Sequence, residues 1–373
     1  MVLKYALMCT LLVCIVEAKE SFIVGGWIPY WRAADGIQSV KNHISYFNEL
    51  SPFSYEVDKK GILIDPFARK QKEWDEFFEH CRQKKLKLIP TISWTDTEAI
   101  HAVLSNKVAR QAHINQIIEK ITAKKFKGIN LNYERVSSHD RNVFLDFVQE
   151  LSKRLHAKGL EFHFTIEGRT SDRTFSLIRD KEAHDSLGGT TNPARDLPNH
   201  RYKTILSHCC DRVIIMAYDE WGEAYRYNQA NLKNKYYLSH SSKQWIEQIL
   251  KYMRTFVPAR KLVLGIPTYG LEFAIAMNGK TLEFRKRRSP SYIRAVELAQ
   301  AHKRKPRRTE GGELSFTYPC EGEKRYICYT DSTFIKDRIT LAKKHGLKGI
   351  YLFKLDGAED KRMWPYLRFA LKS

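Results

Sequence analysis

Short apolar runs alternate along the chain with stretches whose apolar positions recur at helical spacing. Eight of the runs read as strands: Phe22 to Trp27, His43 to Ser54, Leu86 to Ser93, Phe126 to Tyr133, Glu161 to Ile166, Arg212 to Tyr218, Leu262 to Pro267 and Lys348 to Phe353. Between them, Trp74, Phe77, Phe78 and Cys81 mark one helical stripe. Phe144, Phe147, Val148, Leu151 and Leu155 mark another that stops at Gly159. Strands that alternate with helices call for a parallel sheet covered on both faces. Eight such repeats predict an α/β fold, a (β/α)8 TIM barrel, whose chemistry gathers where the strands end.

One interval is out of proportion, because about 80 residues separate the seventh strand from the eighth where ordinary βα connections are far shorter. This stretch carries its own helix pattern, Tyr292 to Ala301, and a hairpin pattern around Cys320 to Cys328. Residues 271–340 are therefore expected to form a small inserted α+β subdomain. At the other end, Lys4, the apolar run Ala6 to Val16 and the small-residue exit at Ala18 read as a secretory signal over residues 1–18. Residues 19–373 then form the barrel domain of a secreted or periplasmic protein. No stretch reaches the roughly 20 apolar residues of a membrane-spanning helix.

The fourth strand and its continuation, Phe126-Lys127-Gly128-Ile129-Asn130-Leu131-Asn132-Tyr133-Glu134, sort by alternation into two faces. Ile129, Leu131 and Tyr133 suit the helix-facing side. Gly128, Asn130, Asn132 and Glu134 then share the interior, where polar groups without partners would cost several kcal/mol, and Glu134 emerges at the rim. Read alone, Glu134 is either a salt-bridged strand-end carboxylate or an acid catalyst.

Composition narrows the partners. With 43% apolar and 12% aromatic residues the chain is not disordered, and 63 Lys+Arg against 42 Asp+Glu leave a net charge of +21. Anionic polymers are the matching class. The basic runs Arg285-Lys286-Arg287-Arg288, Lys303-Arg304-Lys305 and Arg307-Arg308 fall in the insertion. They read as a solvated face or as a patch for anionic glycans, and no nucleic-acid motif accompanies them. Cys81, Cys209 and Cys210 read as core thiols. Cys320 and Cys328 flank a turn, which allows a cross-hairpin disulfide or two free thiols. No metal-ligand spacing is present and no cofactor is expected.

The motifs taken together resemble glycoside hydrolase family 18, the chitinases and related N-acetylglucosaminidases. The family's fourth strand ends in Asp-Gly-x-Asp-x-Asp-x-Glu, of which this chain keeps Gly128 and Glu134 and carries Lys127, Asn130 and Asn132 at the Asp positions. Met216-Ala217-Tyr218-Asp219 resembles the sixth-strand Met-x-Tyr-Asp, and Gly265-Ile266-Pro267-Thr268-Tyr269-Gly270 the seventh-strand Gly-x-Pro-x-Tyr-Gly. Gly349 to Asp360 is similar to the eighth-strand segment, with Phe353 where Trp is usual. The end of the insertion is most similar to the bacterial branch of spore-cortex-lytic enzymes.

The resemblance implies substrate-assisted retaining hydrolysis of β-linked N-acetylglucosamine glycans, an exception to the two-carboxylate scheme. Glu134 would be the acid and Asn132 would hold the acetamido group. Tyr218 would hydrogen-bond the acetamido oxygen, and Asp219 would contact the sugar or support Glu134. Asn130, Met216 and Tyr269 are further candidate substrate contacts, as are the strand-end aromatics Trp27, Tyr55, Trp221 and Phe353. The neutral Asn130 and Asn132 predict attenuated turnover, or a glycan-binding protein that has lost it. The partner implied is an N-acetylglucosamine polymer, in an anionic cell wall or as chitin.

Overall fold

The computed structural model describes residues 21–66, 71–170, 200–220, 238–278 and 281–372. The expected signal, residues 1–18, lies outside them, as does Trp221. Eight parallel strands close on themselves: Ile23–Ile28, Glu49–Val57, a third in two pieces (Lys87–Leu88 and Thr91–Trp94), Gly128–Tyr133, Glu161–Glu167, Arg212–Met216, Leu262–Pro267 and Gly349–Phe353. The first strand pairs with the eighth (Ile23 beside Gly349) and with the second (Trp27 beside Ser51), so no edge is left inside the barrel.

Two expected boundaries shift. The second strand starts at Glu49 because Ile44–Tyr46 forms a 3-10 turn first. The third strand breaks at Ile89-Pro90, where Pro90 brings no N–H to the ladder but its carbonyl still accepts Asn130 N–H at 2.9 Å.

The core has an outer and an inner layer. Outward residues such as Ile129, Leu131, Phe162 and Phe164 pack against helices that include Gln71–Gln83, Lys107–Ala123 and Arg141–His156. Inside, one half of the barrel is apolar, built from Ile23, Trp27, Ile214, Val263 and Tyr351. Gly25 makes room for the Tyr351 ring, since a β-carbon there would lie 2.3 Å from it. The other half is polar, lined by Glu49, Ser51, Thr91, Asn130, His163 and Thr165, all buried. Such an interior is stable only if its groups find one another, and they largely do.

Between the seventh and eighth strands an antiparallel five-stranded sheet runs in the order Thr281–Arg288, Gly270–Asn278, Glu323–Tyr329, Leu314–Cys320 and Arg307–Arg308. Its far face carries helix Tyr292–Ala301 on Phe316, Tyr318, Ile327 and Tyr329. The near face presents Leu271, Phe273, Tyr326 and Cys328 to Leu238, Tyr269 and Phe353 at the barrel mouth. The expected limit at residue 340 cuts through helix Ser332–Lys344. Phe334, Ile335, Ile339, Leu341 and Ala342 of that helix belong to the barrel core, so it is a barrel helix.

The Cys320–Cys328 disulfide does not form, and both thiols are free. In the hairpin Cys320 sits opposite Glu323 and Cys328 opposite Ser315. Residues 323 and 328 are an odd number of positions apart, so the two thiols project from opposite faces of the sheet. At ~3.3 Å per residue they also lie far beyond disulfide reach. We expect the same thermal midpoint with and without dithiothreitol; a drop of several degrees on reduction would contradict this arrangement.

The basic runs form no single patch either. Arg285 to Arg288 lie on one edge strand and Arg307-Arg308 on the opposite edge, four strand spacings or ~19 Å away. Arg287 pairs with Glu323, and Arg308 with Asp331 at 2.7 Å. Lysine and arginine on exposed edges also block strand addition from another chain.

Candidate active site

The fourth strand places its side chains as the alternation requires. Tyr133 points outward, where His113 meets its hydroxyl at 2.5 Å, while Asn130 and Asn132 point inward. Glu134, one residue past the strand, is held by its own N–H donating to Trp94 O at 2.8 Å. Asn132 Nδ2 donates to Glu134 Oε1 at 3.0 Å. This bond fixes the orientation of the Glu134 carboxyl beside Asn132.

Asn132 Oδ1 is buried and accepts no hydrogen bond from any of the described residues. An orphaned buried acceptor costs about 1–3 kcal/mol, and at a barrel mouth it is a socket for an incoming N–H donor. Asn130, expected to touch substrate, is instead used up inside the barrel. Its Nδ2 donates to Ser51 Oγ and Thr91 Oγ1, both at 3.3 Å, and its Oδ1 accepts from Thr165 Oγ1 at 2.7 Å. Fully buried and fully paired, Asn130 is a strut beneath Asn132 rather than a substrate contact.

Tyr218 and Asp219 follow the sixth strand, whose last residue, Met216, is half-buried. Gly265 leaves room for the Tyr218 ring, whose Cε1 would lie 3.1 Å from a β-carbon there. The ring stacks on Phe353 at 5.4 Å and 10° and meets Tyr269 edge-on at 6.4 Å. Burial, reinforced by the charges of Asp219 and Glu134, pushes the Tyr218 phenol well above its ordinary range. It is therefore a hydrogen-bond donor at any working pH.

Asp219 has φ of 62°, a left-handed conformation rare outside glycine. Its carboxylate accepts from Tyr269 Oη at 3.0 Å and its N–H donates to His240 Nδ1 at 3.2 Å. Burial lowers the pKa of His240, whose ring is inaccessible to solvent.

The aromatic expectations divide. Trp27 is 1% exposed and edge-on to Tyr351 and Phe353 at 4.9 and 5.8 Å, so it floors the cavity instead of offering a face. Tyr55 is not at the site. A register shift between Phe53 and Tyr55 sets Tyr55 beside the outward Ile92 and Glu56 beside the inward Ser93. One extra residue thus swaps the faces. Tyr55 is 3% exposed in the outer core, with Lys120 over its ring at 5.9 Å. Glu56 takes the rim position and accepts from Tyr30 Oη at 2.7 Å. Trp31, half exposed, leans edge-on against Phe53 at 5.9 Å.

Glu56 and His240 are site residues that carried no motif or spacing signal. A bulge gave Glu56 its position, and His240 acts through a partner 21 residues away.

Among the described residues, Glu49, Glu161 and His163, below Asn130, form a group that could hold a metal ion. Lys87 Nζ already lies 2.7 Å from Glu161 and 3.8 Å from Glu49, and His163 Nε2 lies 2.9 Å from Glu161. The Lys87 ammonium and the His163 ring already occupy the carboxylate oxygens, and at the end of the barrel away from the strand C-termini the cluster reads as structural.

Two buried carboxyls near the rim titrate unusually. Glu220 is pushed up to about 7, mainly by burial, with repulsion from Glu313 adding to it. Burial also carries Glu359 to about 7, helped by Asp356. A carboxyl raised above its unfolded value of ~4.3 stabilises the fold while protonated. That contribution is complete at low pH and lost as pH rises through about 7. The thermal midpoint should therefore be lower at pH 8 than at pH 6, and Glu220→Gln should shrink the difference. An unchanged difference would remove Glu220 from this account.

A family model described as "Glycosyl hydrolases family 18" matches residues 39–358. The "Uncharacterized glycosylase YvbX" of Bacillus subtilis (strain 168) is 23% identical over 368 residues, covering 95% of this chain and 93% of that protein. In fold, the chain is similar to the spore cortex-lytic enzyme SleL of Bacillus megaterium, with a TM-score of 0.69, 18% identity, and coverage of 93% of this chain and 73% of that one. It is equally similar to a chitinase of Chromobacterium violaceum, at 0.70 and 21%, covering 94% and 99%.

Proposed function

The chain belongs to glycosyl hydrolases family 18, and on that premise we propose that it cleaves β-linked N-acetylglucosamine glycans by substrate-assisted retaining catalysis. The observation that carries the reading is the buried, unpartnered Asn132 Oδ1 beside Glu134. A substrate acetamido N–H supplies the donor that Asn132 lacks, and the Tyr218 hydroxyl donates to the acetamido oxygen. Together they turn that oxygen toward the anomeric carbon.

Glu134 gives its carboxyl proton to the glycosidic oxygen as the C–O bond breaks. The acetamido oxygen forms the new bond to carbon, giving an oxazolinium-like intermediate. Glu134, now a carboxylate, takes a proton from water, which opens the ring with net retention. Holding the nucleophile inside the substrate supplies the proximity that a second carboxylate gives elsewhere.

Substrate supply supports the wider reading. A signal over residues 1–18 would export the chain, and its charge of +21 suits an anionic cell-wall polymer. The fold neighbours include proteins named as a spore cortex-lytic enzyme and as a chitinase, so peptidoglycan and chitin are the two substrates to compare, with peptidoglycan favoured by the charge.

The rival reading, a glycan-binding protein without turnover, is favoured by neutral Asn130 and Asn132 in place of carboxylates. Proton NMR of a digested N-acetylglucosamine oligomer separates the readings. We expect the β-anomer of the new reducing end to appear first and then mutarotate. An α-anomer first would overturn retention, and bound but uncleaved oligomer would establish the binding protein.

A further inference from the structure

Resting on the glycosidase reading above, we propose that Glu313, a residue of the insertion, is a positioning residue of the active site that holds Asp219 in place through His240. Glu313 is fully buried. One of its oxygens accepts from His240 N–H at 3.0 Å, from Ser241 N–H at 2.8 Å and from the Ser239 hydroxyl, and the other accepts from Thr309 Oγ1 at 2.7 Å. Burial alone would raise its pKa, but this ring of donors and the nearby Arg338 lower it, so it is a carboxylate. Arg338 closes the same knot by donating to Ser241 O at 2.7 Å and to Gly311 O.

The segment so gripped lies directly on the residues after the sixth strand. Ser241 Oγ donates to Ala217 O at 2.5 Å, Glu220 N–H to His240 O at 3.1 Å, and Ser242 N–H to Glu220 Oε2 at 2.5 Å. At the centre of these bonds Asp219 N–H donates to His240 Nδ1. A left-handed aspartate has no backbone preference to keep it there, and strained positions of this kind persist only when neighbours over-determine them. His240 supplies the contact, Glu313 fixes His240, and Tyr269, next to the first insertion strand, holds the carboxylate itself. The insertion is in this sense part of the catalytic apparatus rather than an added wall.

The groups facing His240 are Asp219, Glu313 and Lys286, with the Tyr269 ring edge-on at 4.5 Å. Lys286 acts on it through its charge alone, from the edge strand where it pairs with Phe273.

The test is a double-mutant cycle on the full-length protein with a chromogenic N-acetylglucosamine oligomer. Glu313→Ala and His240→Ala should each lower kcat by roughly 10²-fold, the scale of a small displacement of a catalytic group, with KM within about twofold. The double variant should be no worse than the poorer single. Glu313→Gln, whose amide oxygen still accepts the two backbone N–H groups, should recover most of the rate. Multiplicative losses, or a lowered thermal midpoint with kcat intact, would reduce Glu313 to a structural role.

If Glu313→Ala does not fold, Glu313→Asp, whose shorter side chain draws the carboxylate away from the His240 and Ser241 N–H groups while keeping its charge, takes its place in the cycle with His240→Ala. If the wild type releases no product, the glycosidase reading fails by itself. Positioning is then read from the Asp219 amide by NMR, whose hydrogen bond to His240 Nδ1 must be lost in Glu313→Ala as it is in His240→Ala; an Asp219 amide unchanged in Glu313→Ala would overturn the proposal.

Discussion

Glu134→Gln should lower kcat by roughly 10²- to 10⁴-fold, the range of a positioned general acid, while KM changes little. The substitution is close to isosteric. The glutamine amide oxygen can still accept from Asn132 Nδ2, as Glu134 Oε1 does at 3.0 Å, so the pocket keeps its shape and loses only the transferable proton. Steady-state rates on a chromogenic oligomer, with oligomer binding measured separately, check it. Equal rates for wild type and variant would mean that the wild-type rate is background and that the protein binds glycans without cleaving them.

Asn132→Asp should act in the opposite direction, raising kcat by roughly 10²-fold, the value of one well-placed electrostatic contact in a closed site. A carboxylate there makes a charge-assisted bond to the acetamido N–H and opposes the positive charge of the intermediate, both of which the amide does weakly. It also removes the donor to Glu134 Oε1 and sets two carboxyls side by side, which then share a proton. The basic limb of the pH–rate profile should therefore move to higher pH. The variant should lose some stability above that limb, where both groups ionise in a buried place. A rate below wild type with an unmoved basic limb would show that Asn132 is not the acetamido contact. Asn132→Ala, which removes the acceptor altogether, should be slower than wild type in every case.

Much of this site was legible along the chain because strand alternation is a local property. Once Ile129, Leu131 and Tyr133 are assigned to the helix layer, Asn130, Asn132 and Glu134 have nowhere to point but inward. Depth, however, is not a local property. Asn130 and Asn132 look alike in the sequence, yet one is saturated by Ser51, Thr91 and Thr165 and the other keeps an open acceptor. Only the shear of neighbouring strands, which sets Thr91 beside Asn130 and Ser93 beside Asn132, separates their roles.

Tyr55 shows the same limit from another side. Alternation carried along the second strand cannot foresee a register shift that turns Tyr55 out and Glu56 in. Cys320 and Cys328 look close across a turn, but pairing parity sends them to opposite faces.

What the amino-acid order determined by itself is the barrel, its eight strands, the place of the insertion and the inward set on the fourth strand, because periodicity and burial are written within single elements. Tertiary structure alone decided which inward group stays open, which rim carboxylate replaces an aromatic, and that Glu313 reaches His240 from 73 residues away. Hydrogen bonds between distant segments satisfy buried polar groups wherever the fold happens to bring them together, and no spacing along the chain announces them.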